Sequence, residues 1–269
     1  MRLVFSLIHE KGLTMNMIEE FKHKLILAVS VFALGLSSLS TVAAEYPADV
    51  NLVSEAWEDA TLEDGSGLYW DIMRLVYEPL GIRVNYSTTS YARSISLVKQ
   101  EKADAWLGAY SDEVGGVLYP QWHFDADLVS ALYKKNDALN WQGEQSLAGK
   151  NVGWIKGYGY NDYMDTKFKN KEYKSRKQAI KLLEAGRLDF FLDAKEELEE
   201  EVEKGYFNAA DYEIKPIMQL NLYMAFSNNE RGRQLKDIFD ERFPQLLKSG
   251  EIQQLYNKWD WETFPFNEQ

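Results

Sequence analysis

Residues 95–107 read ISLVKQEKADAWL, and residues 180–192 read IKLLEAGRLDFFL. Four positions recur with the same internal spacing, namely Ile95, Leu97, Val98 and Asp104 in the first segment and Ile180, Leu182, Leu183 and Asp189 in the second. In both segments an apolar helical face leads into a polar turn and then into a short apolar run, which is typical of a strand buried on both faces of a sheet. The repeated helix-turn-strand unit predicts two similar α/β lobes.

The sequence around these segments predicts further elements of the same two lobes. Apolar or alternating runs predict strands at residues 51–53, 82–86, 152–155 and 223–226. Helical periodicity predicts helices at residues 72–80, 162–168 and 196–204 and a terminal helical region at residues 235–255. The six glutamates of residues 196–204 are expected to form a solvated helix face. No linker rich in Pro, Gly or Ser separates the halves, so we expect them to move as a hinge.

The N-terminal segment has the pattern of a secretory signal. The basic residues 22–24 precede the apolar stretch 25–36, and a run of small residues ends at Ala44. The apolar stretch is shorter than the roughly 20 residues that a membrane-spanning helix needs. We therefore expect a signal peptide at residues 1–44, cleaved near Ala44, and a mature protein in the periplasm. The candidate translation starts are Met1, Met15 and Met17.

Charge and composition argue against several classes of protein. The net charge of −12 disfavours nucleic acid as a partner, because nucleic-acid binding depends on Lys and Arg neutralising phosphates. The chain has no cysteine, which removes cysteine nucleophiles and the lipid-attachment cysteine of a surface lipoprotein. After Ala44 only one histidine follows, His123, so neither a zinc site nor a Ser-His-Asp triad is expected. We expect no catalytic residue, no metal and no cofactor.

Five short motifs lie between residues 50 and 260. They are Gly67-Leu68-Tyr69-Trp70-Asp71, Tyr91-Ala92-Arg93 before Asp104, Leu147-Ala148-Gly149-Lys150-Asn151-Val152-Gly153, Ala185-Gly186-Arg187-Leu188-Asp189 before Asp193, and Lys248-Ser249-Gly250 through Lys258-Trp259. In order and spacing they resemble the extracellular (periplasmic) solute-binding protein family 3, the amino-acid type of substrate-binding protein that serves ABC importers. Glu101 stands where that family usually has glycine.

The resemblance implies a two-lobed α/β fold, the periplasmic-binding-protein type II fold. In it each lobe is a mostly parallel sheet flanked by helices, and two hinge strands join the lobes. For this chain it implies a first lobe formed by residues 45–129 and 219–269 and a second lobe formed by residues 130–218. We expect the chain to cross between the lobes near residues 127–130 and 218–220.

The resemblance also implies a ligand-binding carboxylate at Asp193, where this family offers an acid to a ligand ammonium. A carboxylate that faces a closing cleft makes a charge-assisted hydrogen bond in a medium of low dielectric constant. The alternative is that Asp193 is the N-cap of the acidic helix that follows it.

The family's usual carboxylate-binding arginine is missing from the first lobe. The corresponding stretch reads Ser111-Asp112-Glu113-Val114-Gly115-Gly116. Arg93 is a candidate substitute, although it could equally be an exposed helix residue or pair within the protein. With Glu113 in place of the arginine and Asp193 opposite, a cationic ligand such as a polyamine or a basic amino compound becomes plausible.

Aromatic residues cluster at the expected strand-to-helix turns, at Trp57, Tyr91, Tyr110, Tyr158 and Tyr160. Each ring is either part of the core or stacks on a ligand or a cation. Gly159 belongs to a turn that either presents backbone amides to an anionic group or is a plain turn. The candidate ligand-binding residues are Trp57, Tyr91, Arg93, Tyr110, Ser111, Glu113, Tyr158, Gly159 and Asp193.

Three functions are compatible with this pattern. The first is a monomeric receptor that captures a small amino-acid-like or cationic ligand by lobe closure and delivers it to an inner-membrane ABC permease. The second is a periplasmic enzyme of the same fold, since a few proteins similar to this family are dehydratases that use cleft carboxylates as acid or base. The third is a ligand-sensing partner of a membrane sensor.

Overall fold

The computed structural model describes residues 46–135, 140–205, 207–261 and 263–266. The expected signal peptide at residues 1–44 and its candidate starts lie outside these residues. None of the helices described is both long enough and apolar enough to span a membrane.

Nine strands and six α-helices make up this part of the chain. The strands are β1 (Asp49–Ser54), β2 (Arg83–Thr88), β3 (Ala105–Ala109), β4 (Val117–Leu118), β5 (Asp125–Lys134), β6 (Asn151–Ile155), β7 (Lys169–Tyr173), β8 (Phe190–Ala194) and β9 (Tyr212–Ser227). The α-helices are α1 (Leu68–Tyr77), α2 (Tyr91–Lys99), α3 (Arg176–Glu184), α4 (Lys195–Glu203), α5 (Glu230–Ser249) and α6 (Glu251–Lys258). Short 3-10 turns lie at Glu78–Leu80, Gln145–Leu147, Tyr160–Tyr163 and Ala209–Asp211.

The strands form two mixed sheets, each with three parallel strands, that share β9. In the first sheet β2, β1 and β3 are parallel, and the C-terminal part of β9 pairs antiparallel with β3 and with the short β4. In the second sheet β7, β6 and β8 are parallel, and β5 pairs antiparallel with β8 and with β9. This is the expected α/β fold with two lobes, and the fold class predicted from the sequence is confirmed.

The two long strands β5 and β9 connect the lobes. They pair from Asp125 with Leu222 to Lys134 with Tyr212, and the register shifts between Val129 and Ser130. Both expected crossings lie in these strands, where Asp127 pairs with Leu220. The exact lobe boundaries drawn there remain a prediction.

The sequence repeat has a common hydrogen-bond pattern in the two lobes. The Asp104 carboxylate accepts from the backbone N–H and the side-chain amide of Asn51 at 2.7 and 3.1 Å. Asp189 accepts from the same two groups of Asn151 at 2.8 and 2.9 Å. In each copy the aspartate therefore ties the start of a buried strand to the start of its parallel neighbour.

The helix ends of the repeat also match. Glu101 and Gly186 follow α2 and α3 in the left-handed conformation, with φ of 57° and 68°. The next residue in each copy donates its N–H to a leucine carbonyl of the preceding helix, from Lys102 to Leu97 at 2.8 Å and from Arg187 to Leu182 at 2.9 Å. Glycine adopts positive φ without strain, whereas Glu101 does so at a cost.

Two local expectations from the sequence were wrong. A helix was expected at residues 162–168, but the chain there has only the 3-10 turn Tyr160–Tyr163 before β7 begins. The six glutamates of α4 do not all lie on a solvated face. Glu201 is buried, and the Glu197 side chain is only 14% exposed because it pairs with Arg176.

Candidate functional site

A cleft of about 700 Å³, including the part open to solvent, lies at the carboxyl ends of the parallel strands. Its walls come from the segments after β1, β3, β6 and β8, from the first turns of α1, α2 and α4, and from β5. In open α/β sheets this edge is the usual place for a ligand. The lining residues are Trp57, Glu58, Ala60, Tyr69, Tyr91, Gly108, Tyr110, Asp125, Ala126, Asp127, Tyr158, Asp193, Ala194, Glu196, Glu197, Leu222, Trp261 and Thr263.

The composition of this lining is unusual. Six of the lining residues are aspartates or glutamates and six are tyrosines or tryptophans. Among the lining residues that the structure describes, none is a lysine or an arginine. Carboxylates attract a positive charge, and the faces of aromatic rings do so as well.

The aromatic rings contact one another across the cleft. The indole N–H of Trp57 donates to the Tyr158 hydroxyl at 3.3 Å. The rings of Tyr91 and Tyr158 meet edge to face, with centroids 5.3 Å apart. Gly108 makes room for Trp57, since a Cβ at Gly108 would lie 2.5 Å from the indole ring. Tyr158 therefore contacts Trp57 and Tyr91 directly across the cleft.

Asp193 lies at the end of β8 and is bound by an arginine that sequence reasoning missed. The Arg176 guanidinium donates through Nε to Asp193 Oδ2 at 2.9 Å and through Nη2 to Oδ1 at 3.4 Å. The backbone N–H of Ala194 donates to Oδ1 at 3.0 Å. The alternative role of Asp193 as a helix N-cap is wrong, because Ala194 is the N-cap of α4.

Arg176 also contacts two further carboxylates. Its Nη2 lies 3.0 Å from Glu197 Oε2, and its Nη1 lies 3.5 Å from Glu55 Oε1 in the opposite lobe. It donates to the Tyr158 hydroxyl at 3.0 Å as well. Burial alone would lower the pKa of Arg176, but the surrounding carboxylates, Asp193 foremost, hold it well above its usual value.

Two further carboxyl groups face the cleft from the hinge strand β5. The Tyr69 hydroxyl donates to Asp125 Oδ2 at 2.5 Å, and the Tyr110 hydroxyl donates to Asp127 Oδ2 at 2.7 Å. Asp125 is 2% exposed, and its other oxygen, Oδ1, has no hydrogen-bond partner among the residues described. Burial raises the pKa of Asp125 to about 7 and that of Asp127 to about 8.

Glu113 lies behind the aromatic wall. It accepts from the Tyr91 hydroxyl at 2.6 Å and from the backbone N–H of Tyr110 at 3.1 Å. Its second oxygen is buried and has no partner in the part of the chain that the structure describes, and burial raises the pKa of Glu113 to about 7. Glu113 is therefore held through the residues that line the cleft and is not itself part of the lining.

The structure brings together five of the nine candidate residues named from the sequence. Those that line the cleft are Trp57, Tyr91, Tyr110, Tyr158 and Asp193. Arg93 is exposed on α2, and Ser111 is exposed while its carbonyl accepts from Tyr163 at 3.3 Å. Gly159, with φ of 59°, is the N-cap of the turn Tyr160–Tyr163. The role of each candidate in ligand binding remains a prediction.

Asp125, Asp127 and Arg176 were not among the candidates. The one signal for the first two is their spacing, since residues two apart on a strand face the same side. Nothing in the sequence near Arg176 marks it, because its contact with Glu55 joins residues that are 121 positions apart.

Comparison with known proteins supports the fold. The sequence matches no protein-family model and no curated protein. Solved structures do match. An ancestral arginine-binding protein bound to arginine superposes with a TM-score of 0.63 at 18% identity, covering 79% of this chain and 98% of that one. A histidine kinase sensor domain with similarity to periplasmic binding proteins gives 0.64 at 16% identity, covering 78% and 95%.

A third similar structure belongs to the ancestral amino acid-binding protein AncCDT-1, a precursor of cyclohexadienyl dehydratase. It superposes with a TM-score of 0.59 at 16% identity, covering 79% of this chain and 95% of that one. At these identities the likeness is one of fold. The chain has the two-lobed α/β fold of periplasmic amino-acid-binding proteins, as the resemblance in its sequence implied.

Proposed function

We propose that this protein is a periplasmic solute-binding protein that captures a small organic cation, an amine or a basic amino compound. The observation that carries the proposal is the cleft lining, with six acidic and six aromatic side chains and neither lysine nor arginine among the lining residues described. A cation that enters such a cleft gains carboxylate partners and ring faces together.

The arginines near the cleft support an amine over a free amino acid. An α-carboxylate needs a cationic or N–H-rich anchor. Arg93 is exposed and does not line the cleft. Arg176 already donates through Nε and Nη2 to Asp193 and Tyr158. It also pairs with Glu197, and its Nη1 lies 3.5 Å from Glu55, so three carboxylates already balance its charge. A ligand carboxylate would also lie among six acidic side chains, which repel it.

The fold and the N-terminal sequence pattern support a periplasmic location and a membrane partner. A signal peptide at residues 1–44 would direct the protein to the periplasm. There, a protein that binds a solute between two lobes and closes can present it to an inner-membrane ABC permease. A membrane sensor is the alternative partner. The structural similarity to the sensor domain of a histidine kinase supports this alternative. A pull-down of membrane proteins with the ligand-loaded protein separates the two.

A periplasmic dehydratase is a second candidate function. Asp125 supports it, because a carboxyl group with a pKa of about 7 in a cleft can act as a general acid. The likeness to a dehydratase precursor supports it as well. Saturable binding that leaves the ligand chemically unchanged would exclude this candidate, and formation of a product would favour it.

A thermal-shift panel on residues 45–269 tests the proposed function. The probes are 1,4-diaminobutane, agmatine, L-arginine, L-glutamate and acetate, because a ligand that binds only the folded state raises the melting temperature. At a concentration about 100 times Kd the stabilisation is about 2.7 kcal/mol. Stabilisation by 1,4-diaminobutane and agmatine, less by L-arginine because of its carboxylate, and none by the two anions is expected. Stabilisation by glutamate alone would overturn the proposal.

A further inference from the structure

We propose that the positive group of the ligand is held by Asp125 and Asp127 of the hinge strand β5, and not by Asp193. The proposal rests on the proposed function, since it names the anchor within the same cleft. It also narrows the ligand to one with a primary ammonium group, whose N–H donors match unfilled carboxylate oxygens.

Asp193 has no need of an external cation in this arrangement. Its side chain is fully buried, and both of its oxygens accept hydrogen bonds, from Arg176 and from the backbone of Ala194. A ligand ammonium could reach Asp193 only by displacing Arg176. That displacement would leave a buried guanidinium without its nearest partner, which is strongly unfavourable.

Asp125 differs from Asp193 in the hydrogen bonding of its carboxylate oxygens. It is 2% exposed, one of its oxygens accepts from Tyr69, and the other accepts a hydrogen bond from none of the residues that the structure describes. Buried carboxylates are normally paired or fully hydrogen-bonded, because desolvation of an unpaired charge is costly. Asp125 is one of the residues that line the cleft, so a ligand donor that reaches Oδ1 supplies the missing partner.

Asp127 is the second carboxylate of the proposed binding site for the ammonium group. It lies two residues from Asp125 on the same strand, so both side chains extend from the same face of β5. It lines the cleft and is only partly buried, and its Oδ2 accepts from Tyr110 at 2.7 Å. A primary ammonium has three N–H donors and can bind both carboxylates at once.

The surroundings of the pair favour a cation further. In addition to burial, the charge of Glu196 raises the pKa of both Asp125 and Asp127, and the charge of Asp193 raises that of Asp127 as well. The phenol groups of Tyr69, Tyr110 and Tyr256 face the pair and stay neutral, because burial holds their pKa well above its usual value. Rings of Phe124 and Trp261 pack against Tyr69 at 4.8 and 5.6 Å and form an apolar wall.

Titration calorimetry with 1,4-diaminobutane at about pH 8.5 tests the proposal on the wild-type protein, D125N, D127N and D193N. Replacing Asp by Asn keeps the size of the side chain and removes its charge. We expect D125N and D127N each to weaken binding at least about 10-fold, because a hydrogen bond to a charged group is lost. D193N is expected to weaken binding less than either. Glu78→Gln, on the exposed surface after α1, is the control that should match wild type.

The outcomes separate this proposal from the proposed function. Binding that D193N abolishes and that D125N and D127N leave unchanged would overturn the proposal while the protein remains a cation receptor. Absence of amine binding to the wild-type protein would overturn both. Asp127 is partly exposed, so D127N tests the anchor even if D125N fails to fold, and thermal unfolding of each variant reports which proteins are folded. Equal affinity for a permethylated diamine would contradict the requirement for N–H donors.

Discussion

The guanidinium of Arg176 lies 2.9 Å from the carboxylate of Asp193, and both groups are shielded from water, with side-chain exposures of 13% and 0%. The same guanidinium lies 3.5 Å from Glu55, which follows β1 in the opposite lobe. A cation that belongs to the protein therefore links the two lobes at the carboxylate that sequence resemblance assigned to the ligand. This pairing satisfies Asp193 from within the protein and leaves the carboxylates on β5 as candidate partners for a ligand cation.

Replacing Arg176 by methionine is expected to destabilise the protein by about 3 to 5 kcal/mol. The substitution leaves the fully buried Asp193 without its cation, and that unpaired charge costs more than the lost packing. Urea denaturation of both proteins at neutral pH measures the free energy of unfolding. Arg93→Met, on the exposed face of α2, is the control and should change it by less than about 0.5 kcal/mol. Equal stability of the two variants would contradict the importance of this ion pair.

The ligand-free protein is expected to lose stability as the pH rises from about 5 to about 8. Burial raises the pKa of Asp125 to about 7 and that of Asp127 to about 8, so the folded state keeps protons that the unfolded chain has already released. Free energy of unfolding falls with pH wherever the folded state binds more protons. Glu113 and Glu197, whose pKa values burial raises to about 7 and about 8, contribute in the same direction.

Thermal unfolding between about pH 5 and pH 9 measures this dependence. The double variant D125N/D127N lacks two of the four groups, so its melting temperature should fall less steeply over the same range. A slope identical to that of the wild-type protein would mean that the two aspartates titrate normally. Saturating amine should flatten the wild-type slope, since a bound cation stabilises the charged carboxylates.

Replacing Gly108 by alanine is expected to destabilise the protein by about 1 to 3 kcal/mol and to weaken ligand binding. Gly108 has φ of 83°, and an added Cβ would lie 2.5 Å from the Trp57 ring that lines the cleft. Gly115→Ala is the matched control, because no atom lies within 4 Å of its added Cβ. Melting temperatures of the two variants give the comparison. If G108A proved as stable as G115A, Trp57 would not be held where the structure places it.

Asp104→Asn should destabilise the protein more than Asp189→Asn does, although the two aspartates hold equivalent positions in the repeat. Both accept from an asparagine at the start of the neighbouring strand. Asp104 also pairs with Arg231 of α5 at 2.7 Å. We expect D104N to cost about 1.5 to 3 kcal/mol, as for a hydrogen bond to a charged group, and D189N about 1 kcal/mol. Urea denaturation measures both costs, and the reverse order would contradict the added stabilisation from the pair of Asp104 with Arg231.

The fold could be predicted because its signals are local. The apolar runs at Ala105–Ala109 and Phe190–Ala194 and the helices before them repeat within short windows, and the structure confirms both copies. The strand Lys169–Tyr173 was missed because it lies at the edge of its sheet and its first four residues are exposed and polar. The helix expected at residues 162–168 failed because tertiary contacts outweighed a short amphipathic pattern.

The candidate site could be predicted only in part, because it depends on contacts between residues that are far apart in the sequence. The aromatic residues after the strands were found, since their position relative to the buried strands is a local property. Asp193 was also found, but its partner was not, because Arg176 reaches it from the start of another helix. The burial and the hydrogen bonding of Asp125 depend on Tyr69, which lies 56 positions away in the sequence, and on the other residues that line the cleft. Burial and pairing of this kind become visible only when the chain is folded.

The most direct measurement of the central claim is a calorimetric titration of the wild-type protein with 1,4-diaminobutane and, separately, with L-glutamate at about pH 8.5. The acidic and aromatic cleft predicts saturable one-site binding of the diamine and no detectable binding of glutamate. Saturable binding of glutamate, with none of the diamine, would contradict the account.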